Sequence, residues 1–155
     1  MAFAAGDGTV SFASQILIGN GGPLTTYVSN AGPFVGFGIY PIINNAGVVA
    51  FIGGLDGTGQ SGIFTGPDPA ADKVILTGEP LFGSVLSSVV PTNIEHAGII
   101  DMNDSGQIAF HYRLADGREG IAVGTPVPEP FSLAIGLAGI IGLLCQRLDT
   151  SRQRP

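Results

Sequence analysis

Apolar and polar side chains alternate along residues 107–114. Four apolar residues occupy every second position of this run: Ile108, Phe110, Tyr112 and Leu114. A period of two with one apolar face is typical of a half-buried β-strand and not of a helix. The pattern predicts that Phe110 is buried and that its neighbour His111 faces solvent. Further strands are predicted at residues 15–19, 24–28, 48–55, 61–65, 73–77 and 119–123.

Three stretches of the chain, residues 1–8, 44–57 and 103–117, align with one another. Each contains an Ala-Phe pair, and the phenylalanines lie 48 and 59 residues apart, so the repeat period is irregular. In the second and third stretches an Asn-x-x-Gly sequence precedes this pair and favours a type I turn. An Asp-Gly pair then turns the chain back toward a short strand that ends in glycine. Each unit is therefore interpreted as a β-hairpin, in which Phe51 and Phe110 are equivalent and buried.

These units predict an all-β fold of antiparallel hairpin repeats that form part of a β-propeller-like array. Propellers usually close with about four to eight blades, and the two and a half units of this chain are too few. The β-repeat domain, residues 1–124, is therefore expected to be a fragment of a longer protein, an open meander or an assembling subunit. A missing N-terminal part would also explain why residues 1–8 do not form a secretory signal.

Composition agrees with many short strands and narrows the range of partners. The chain has 25 Gly and 11 Pro, and only 12% of its residues are charged. It is too apolar for a disordered chain and too rich in turn residues for a helical bundle. Residues 1–130 contain three basic and eleven acidic side chains, a net charge of −8. Because nucleic-acid binding needs a basic surface that displaces counterions, no nucleic acid is expected as a partner.

The amino-acid composition of the chain changes after residue 124. Residues 125–130 are rich in proline and are predicted to form an extended linker. Residues 131–145 carry no charge; as a helix they would be about 22 Å long, against a hydrocarbon core of about 30 Å. The segment is apolar on all sides, and Leu148 lengthens it, so a transmembrane helix over 131–148 is predicted rather than a buried core helix.

The predicted helix has an apolar anchor and a basic end. The anchor residues are Phe131, Leu133, Ile135, Leu137, Ile140, Ile141, Leu143 and Leu144. Arg147, Arg152 and Arg154 follow the apolar segment. The positive-inside rule then predicts that residues 149–155 form a basic tail in the cytoplasm.

The motif Val127-Pro128-Glu129-Pro130, followed by the apolar segment and the arginines, resembles the PEP-CTERM sorting signal of Gram-negative bacteria. The resemblance covers residues 126–155; the arginines are dispersed here rather than adjacent. It implies an exosortase as partner, export, a transient anchor in the inner-membrane bilayer, processing near the motif, and delivery to the cell surface or extracellular matrix. The Asn-x-x-Gly-x-x-Ala-Phe units also resemble repeats of uncharacterised surface proteins that carry such tails.

Candidate chemistry is sparse. Residues 101–106 place oxygens at the first, third and fifth positions and Gly at the sixth, as a calcium loop does. The position for a bidentate Glu is Tyr112, however, and an ordinary turn explains the same residues. His96, beside Glu95, and His111 have no partner at a catalytic spacing. No metal site, cofactor or catalytic residue is therefore predicted.

Two functional hypotheses follow. The preferred one is a non-catalytic surface or matrix protein whose repeats form a scaffold for contact with surface glycans or matrix proteins. The alternative is a propeller-type enzyme or a glycan-binding lectin, whose site lies in blades missing from this chain.

Overall fold

The computed structural model of the protein describes residues 1–6, 13–90 and 100–125. All regular elements within these ranges are β-strands, and all of their pairings are antiparallel. The predicted all-β fold of antiparallel strands is therefore confirmed. The strands form three sheets that succeed one another along the chain.

The first sheet consists of β1 (Ala2–Ala5), β2 (Gln15–Ile18) and β3 (Thr25–Ser29). The second consists of β4 (Phe34–Phe37), β5 (Ile42–Ile43), β6 (Val49–Leu55), β7 (Ser61–Phe64) and β8 (Lys73–Leu76). The third consists of β9 (Pro80–Leu81), β10 (Ser84–Ser88), β11 (Ile100–Met102), β12 (Ile108–Leu114) and β13 (Glu119–Gly124).

The second and third sheets are built on one plan around a long central strand. In the second sheet β7 and then β8 lie on one side of β6, whereas β4 and β5 follow one another along its other edge. Between β4 and β5 the Gly38 amide donates to the Ile52 carbonyl at 2.8 Å. This bond continues the backbone pairing along that edge of β6. In the third sheet β13 lies on one side of β12, and β10 and β11 share the other.

The pairing registers show that these sheets are structural repeats. The pairing of β2 with β3 shifts by one residue after Ile16, and that of β7 with β8 shifts after Ile63. The pairing of β4 with β6 is irregular after Phe34, and that of β10 with β12 after Leu86. Because bulges add local twist and re-aim side chains, their recurrence at equivalent places gives the sheets similar shapes.

The second sheet is buried on both faces, which we name by the neighbouring sheet that they contact. Its N-side face packs against the first sheet and carries Val49, Phe51 and Phe64, in one cluster with Ala13, Ile16 and Val28. Its C-side face packs against the third sheet and carries Ala50, Ile63 and Ile75, in one cluster with Ile108, Phe110 and Ala122. Successive side chains of β6 therefore contribute alternately to two cores.

Phenylalanine rings fill the first of these cores. Phe34 lies 5.0 Å from Phe64 and 5.7 Å from Phe51 between ring centroids, and both pairs are edge-to-face. Such pairs contribute about 0.5–1.5 kcal/mol beyond the burial of their area. Gly53 makes the close packing possible, because a Cβ at this position would lie 2.9 Å from the Phe34 ring.

The five strands predicted at 48–55, 61–65, 73–77, 107–114 and 119–123 are confirmed to within one residue by β6, β7, β8, β12 and β13. Phe51 and Phe110 have 0% and 3% of their surface exposed and occupy equivalent positions, as predicted. The sequence pattern did not predict β4, β5, β9, β10 or β11. The three sheets do not close into a propeller among the described residues.

The expected exposure of His111 is corrected by the structure. Its side chain is only 15% exposed, and its Nδ1 is buried without a hydrogen-bond partner among the described residues. The alternation was assigned correctly, because Phe110 is buried. His111 lies on the opposite face of the sheet, where Ile121 of β13 is its pairing partner and Glu119 lies nearby. Tyr112, on the apolar face, is only half-buried.

The Phe51→Ala substitution should lower the free energy of unfolding by about 3–5 kcal/mol, because it leaves a cavity among four other aromatic rings. Urea denaturation followed by circular dichroism measures the change. Phe82→Ala is the matched control, because Phe82 is 57% exposed; it should cost less than about 1 kcal/mol. Equal losses in the two variants would contradict the assignment of Phe51 to the core.

Candidate functional site

The two Asn-x-x-Gly sequences form equivalent hairpin turns. The Gly47 amide donates to the Asn44 carbonyl at 3.0 Å, and the Gly106 amide donates to the Asn103 carbonyl at 3.0 Å. Both glycines have positive φ, at 83° and 78°. A turn closed in this way and followed by a left-handed residue is a common three-residue hairpin loop. The predicted turns at these positions are therefore confirmed.

The first asparagine of each turn also supports the loop with its side chain. Asn44 Oδ1 accepts a hydrogen bond from the Val48 amide at 2.9 Å. Asn103 Oδ1 accepts from the amides of Ser105 and Gln107 at 3.1 and 2.9 Å. These bonds explain why asparagine is suited to the first turn position.

The two turns lie side by side and bind each other through equivalent residues. Asn44 Nδ2 donates to the Asn103 carbonyl at 3.1 Å. The backbone amide and the side-chain amide of Asn45 each donate to one carboxylate oxygen of Asp104, both at 3.0 Å. We call these four residues the turn ladder. It fixes the register of the second sheet against the third at the exposed rim of their interface.

Asp104 is the electrostatic centre of the turn ladder. The hydrogen bonds from the side chain and backbone of Asn45 lower the pKa of the Asp104 carboxyl below its ordinary value. Asp104 therefore stays ionised at neutral pH and accepts both bonds as a carboxylate, which makes them charge-assisted. The group is exposed to solvent, and its two hydrogen bonds from Asn45 join the two turns.

Residues 101–106, which follow the calcium-loop pattern, include the second of these turns, at residues 103–106. Asp101 Oδ1 accepts from the Met102 amide at 2.8 Å, and Asn103 Oδ1 is directed at amides of its own loop. These oxygens serve the local backbone, as the turn interpretation requires. Within residues 1–6, 13–90 and 100–125, no group of three or more His, Cys, Asp or Glu side chains is placed to hold a metal ion.

The structure brings His111 near an acidic side chain. His111 Nε2 lies 3.9 Å from a carboxylate oxygen of Glu119, which is 57% exposed. The separation is longer than a hydrogen bond. Glu95 and His96, the other candidate pair, lie outside the described residues.

An exposed aromatic pair at the β9–β10 hairpin was not predicted. Phe82 has a φ of 49°, which is uncommon for a residue other than glycine, and it is 57% exposed. Its ring lies 5.2 Å from the Tyr112 ring, and its carbonyl accepts a hydrogen bond from Arg118 at 3.0 Å. Arg118 is also bound to Asp116 at 2.7 Å. The only sequence signal for this feature is the Phe-Gly pair between two apolar runs.

The predicted sorting and anchoring residues lie outside the described residues. This applies to the motif at 127–130, to the apolar segment at 131–148 and to the three arginines of the tail. In the described part of the chain, no helix has the length and apolar character that a membrane crossing requires.

Comparison with known proteins gives one family match. Residues 83–134 match the model of a family of unknown function, DUF7453. The match covers 52 of the 155 residues, about a third of the chain, and includes β10 to β13. The third sheet is thus similar to members of that family. No curated protein and no solved structure matches the chain significantly.

The Asp104→Asn substitution should make the melting temperature less dependent on pH in the acidic range. A lowered folded-state pKa means that the Asp104 carboxylate stabilises the fold above its unfolded-state pKa of about 3.9 and that this contribution is lost as pH falls through the folded-state value. Melting temperatures measured from neutral pH down to about pH 2 should therefore differ most near neutral pH and converge for the variant and the parent chain only as pH falls below the folded-state pKa of Asp104.

Asn45→Ala removes the donor side chain and provides the matched control for this effect. Asn45→Ala removes the side-chain bond to Asp104 and keeps the bond from the Asn45 backbone amide. The loss in the double variant should therefore be smaller than the sum of the two single losses, because both substitutions affect the same side-chain bond. If the melting temperatures of the parent and the variants follow parallel curves against pH, the turn ladder does not couple the two sheets. The same conclusion holds if the decreases in melting temperature of the single variants add fully in the double variant.

Proposed function

We propose that the chain is an exported, non-catalytic protein of the cell surface or extracellular matrix. Its β-sheets serve as a scaffold for contact with glycans or matrix proteins, and its residues 126–155 serve as a sorting and anchoring signal. The observation that carries the proposal is the order of three elements along the chain: the motif at 127–130, the uncharged segment at 131–145 and the arginines at 147, 152 and 154.

The physical character of each element supports a role in the membrane. A segment that is apolar on every side has no polar face for water, whereas lipid can cover it completely. Arginines at its end hold that end on the cytoplasmic side. The motif then lies at the opposite boundary of the bilayer, where a membrane-embedded exosortase could reach it. By resemblance to PEP-CTERM proteins, that enzyme processes the tail and releases the scaffold to the surface.

The sheets support a contact function rather than a reaction. Their described ion pairs lie at the surface, as the pair between Arg118 and Asp116 does. The described core contains only hydrophobic residues among its buried side chains. Exposed aromatic and apolar residues, with Phe82 as the most strained in its backbone, provide surface on which a glycan ring or a partner protein can pack.

The alternative is a propeller-type enzyme or a glycan-binding lectin. It is favoured by one observation, the face-to-face stacking of sheets with the same strand plan, which is how propeller blades are arranged. In this alternative the site lies in blades that further sequence would supply. The genomic DNA that precedes the codon for Met1 distinguishes the two hypotheses: an in-frame extension with more Ala-Phe units and a signal peptide favours the propeller.

Replacing Pro128, Glu129 and Pro130 together with alanine should leave the protein anchored but unprocessed, because the recognition motif is lost while the apolar segment is intact. The mass of the protein recovered from membrane and surface fractions measures this. Pro67→Ala with Pro69→Ala, in an exposed loop of the second sheet, is the matched control and should be processed normally. A mature surface protein that still ends at residue 155 would exclude the sorting signal.

Replacing Leu137 and Ile141 with aspartate should release the protein from the membrane, because each charge at the bilayer centre costs about 2.5–3.5 kcal/mol on insertion scales. Fractionation of cells into soluble and membrane parts measures the outcome. The control replaces the same two residues with alanine, which keeps the segment uncharged, and should remain anchored. Retention of the aspartate variant in the membrane would contradict the proposal that residues 131–148 anchor the protein.

A further inference from the structure

A phenylalanine occupies a turn position for which its side chain is poorly suited. Leu81 pairs with Ser84, so Phe82 and Gly83 alone form the loop between β9 and β10. Both have positive φ, at 49° and 79°, which is the geometry of a type I′ hairpin turn. Asparagine, aspartate and glycine are preferred at the first position of this turn, whereas a bulky side chain is strained there. Such strain is typical of functional positions.

Two further elements hold the ring of Phe82 in place. It lies 5.2 Å from the Tyr112 ring of β12, at an interplanar angle of 58°. The Phe82 carbonyl accepts a hydrogen bond from Arg118 Nη2 at 3.0 Å, and the same nitrogen donates to Asp116 Oδ2 at 2.7 Å. Arg118 Nε donates to this oxygen as well, at 3.0 Å. We call Phe82, Tyr112, Asp116 and Arg118 the aromatic platform.

The strand plan of the repeat does not account for the aromatic platform. Tyr112 occupies in β12 the position that Gly53 occupies in β6, two residues after the equivalent phenylalanines. The space beside Gly53 is filled by the buried ring of Phe34. Tyr112 instead lies over Gly120, where a Cβ would come within 3.0 Å of the Tyr112 hydroxyl oxygen, and it is only half-buried. The third sheet thus carries an aromatic ring at a position where the second sheet has none.

The aromatic platform combines an apolar face with charged groups at its edge. Phe82 is 57% exposed, and the negative face of its π-system attracts the slightly positive hydrogens of C–H groups. The side chains of Asp116 and Arg118 are exposed as well. Hydrogen bonds from Arg118 lower the pKa of the Asp116 carboxyl, which is therefore an ionised acceptor at neutral pH. The bonds described above use Nε and Nη2 of Arg118, and its Nη1 carries two further N–H donors.

We propose that the aromatic platform binds a neutral glycan of pyranose rings with equatorial hydroxyl groups, such as a chain of β-linked glucose. Equatorial hydroxyls leave axial C–H groups on both faces of the sugar ring, and one such face stacks on Phe82. Hydroxyls at the edge of the sugar donate to the Asp116 carboxylate and accept from Arg118. The inference rests on the proposed contact function and assigns it a site and a ligand class.

A glycan fits the aromatic platform better than a protein partner does. A specific protein interface buries about 800 Å² on each side, and its centre is depleted of charged residues. Here the pair of Asp116 and Arg118 adjoins Phe82 directly. A single sugar ring, with an apolar face and a polar edge, matches this small mixed surface. A neutral sugar is favoured because residues 1–130 carry a net charge of −8, which repels acidic glycans.

Isothermal titration calorimetry with cellohexaose as the probe tests the proposal. The full-length chain is used, in micelles of a detergent without a sugar head group, which would compete for the site. Phe82→Asn should lower the association constant by about tenfold, because it removes the ring and leaves a residue that the turn favours. Phe82→Tyr keeps an aromatic ring and should bind as the parent chain does. Circular dichroism checks that each variant is folded.

Tyr40→Ala is the matched control. Tyr40 is 47% exposed, lies between β4 and β5, and forms no ring pair among the described residues. Its removal should leave the affinity for cellohexaose unchanged. Asp116→Asn should weaken binding, because it removes the charge of an acceptor and loosens the bonds that hold Arg118.

Three results would overturn the proposal. The first is a parent chain that does not bind cellohexaose at millimolar concentration, as when a protein partner or another part of the chain covers the rings instead. The second is equal affinity of the parent chain and Phe82→Asn. The third is tighter binding of polygalacturonate, an acidic glycan, than of cellohexaose. The sorting signal is tested separately by the mass of the recovered protein, so a chain that is processed normally but binds no cellohexaose excludes only the glycan site.

Discussion

The burial of the second sheet on both faces is the constraint on which the rest of the structure depends. A sheet that carries apolar side chains on both sides cannot lie at a protein surface, because each buried phenylalanine or isoleucine contributes about 1.5–3 kcal/mol that exposure would forfeit. Phe51 and Ile63 of this sheet are fully buried and point to opposite neighbours. The first and third sheets are therefore required as covers for its two faces.

Polar contacts between the sheets determine the positions of the first and third sheets relative to the second. The hydrophobic effect is not directional, so two apolar faces alone would allow sheets to slide or rotate against one another. The turn ladder, with Asn45 donating twice to Asp104, sets one relative position at the rim. On the other side of the second sheet, Tyr27 donates from its hydroxyl to the Thr65 carbonyl at 2.6 Å and has the same effect. Burial raises the pKa of Tyr27 and keeps this hydroxyl a donor.

Sequence reasoning succeeded where the signal is local. The strict alternation of β12 and the Asn-x-x-Gly turns depend on neighbouring residues, and both were predicted. β4 was missed because its four residues, three of which are buried, show no alternation of apolar and polar side chains and lie outside the aligned repeats. The turn ladder joins residues 59 positions apart and arises only when the sheets stack, so no local pattern could reveal it. The partial burial of His111 was misjudged because its neighbours Ile121 and Glu119 belong to another strand, which the alternation within β12 does not encode.

The strands of the described residues pair within their own sheets, apart from a single bridge between Ala13 and Phe37, and paired residues in these strands are at most 28 positions apart, as Leu86 and Leu114 are. Loops that must close before strands meet are therefore short, and their entropic cost is small. Proteins dominated by such near-neighbour pairings fold faster than β-sandwiches with distant strands, and repeat arrays can begin folding at any unit. Each sheet can therefore form from its own short stretch of chain, and it then offers the next one a surface on which to assemble.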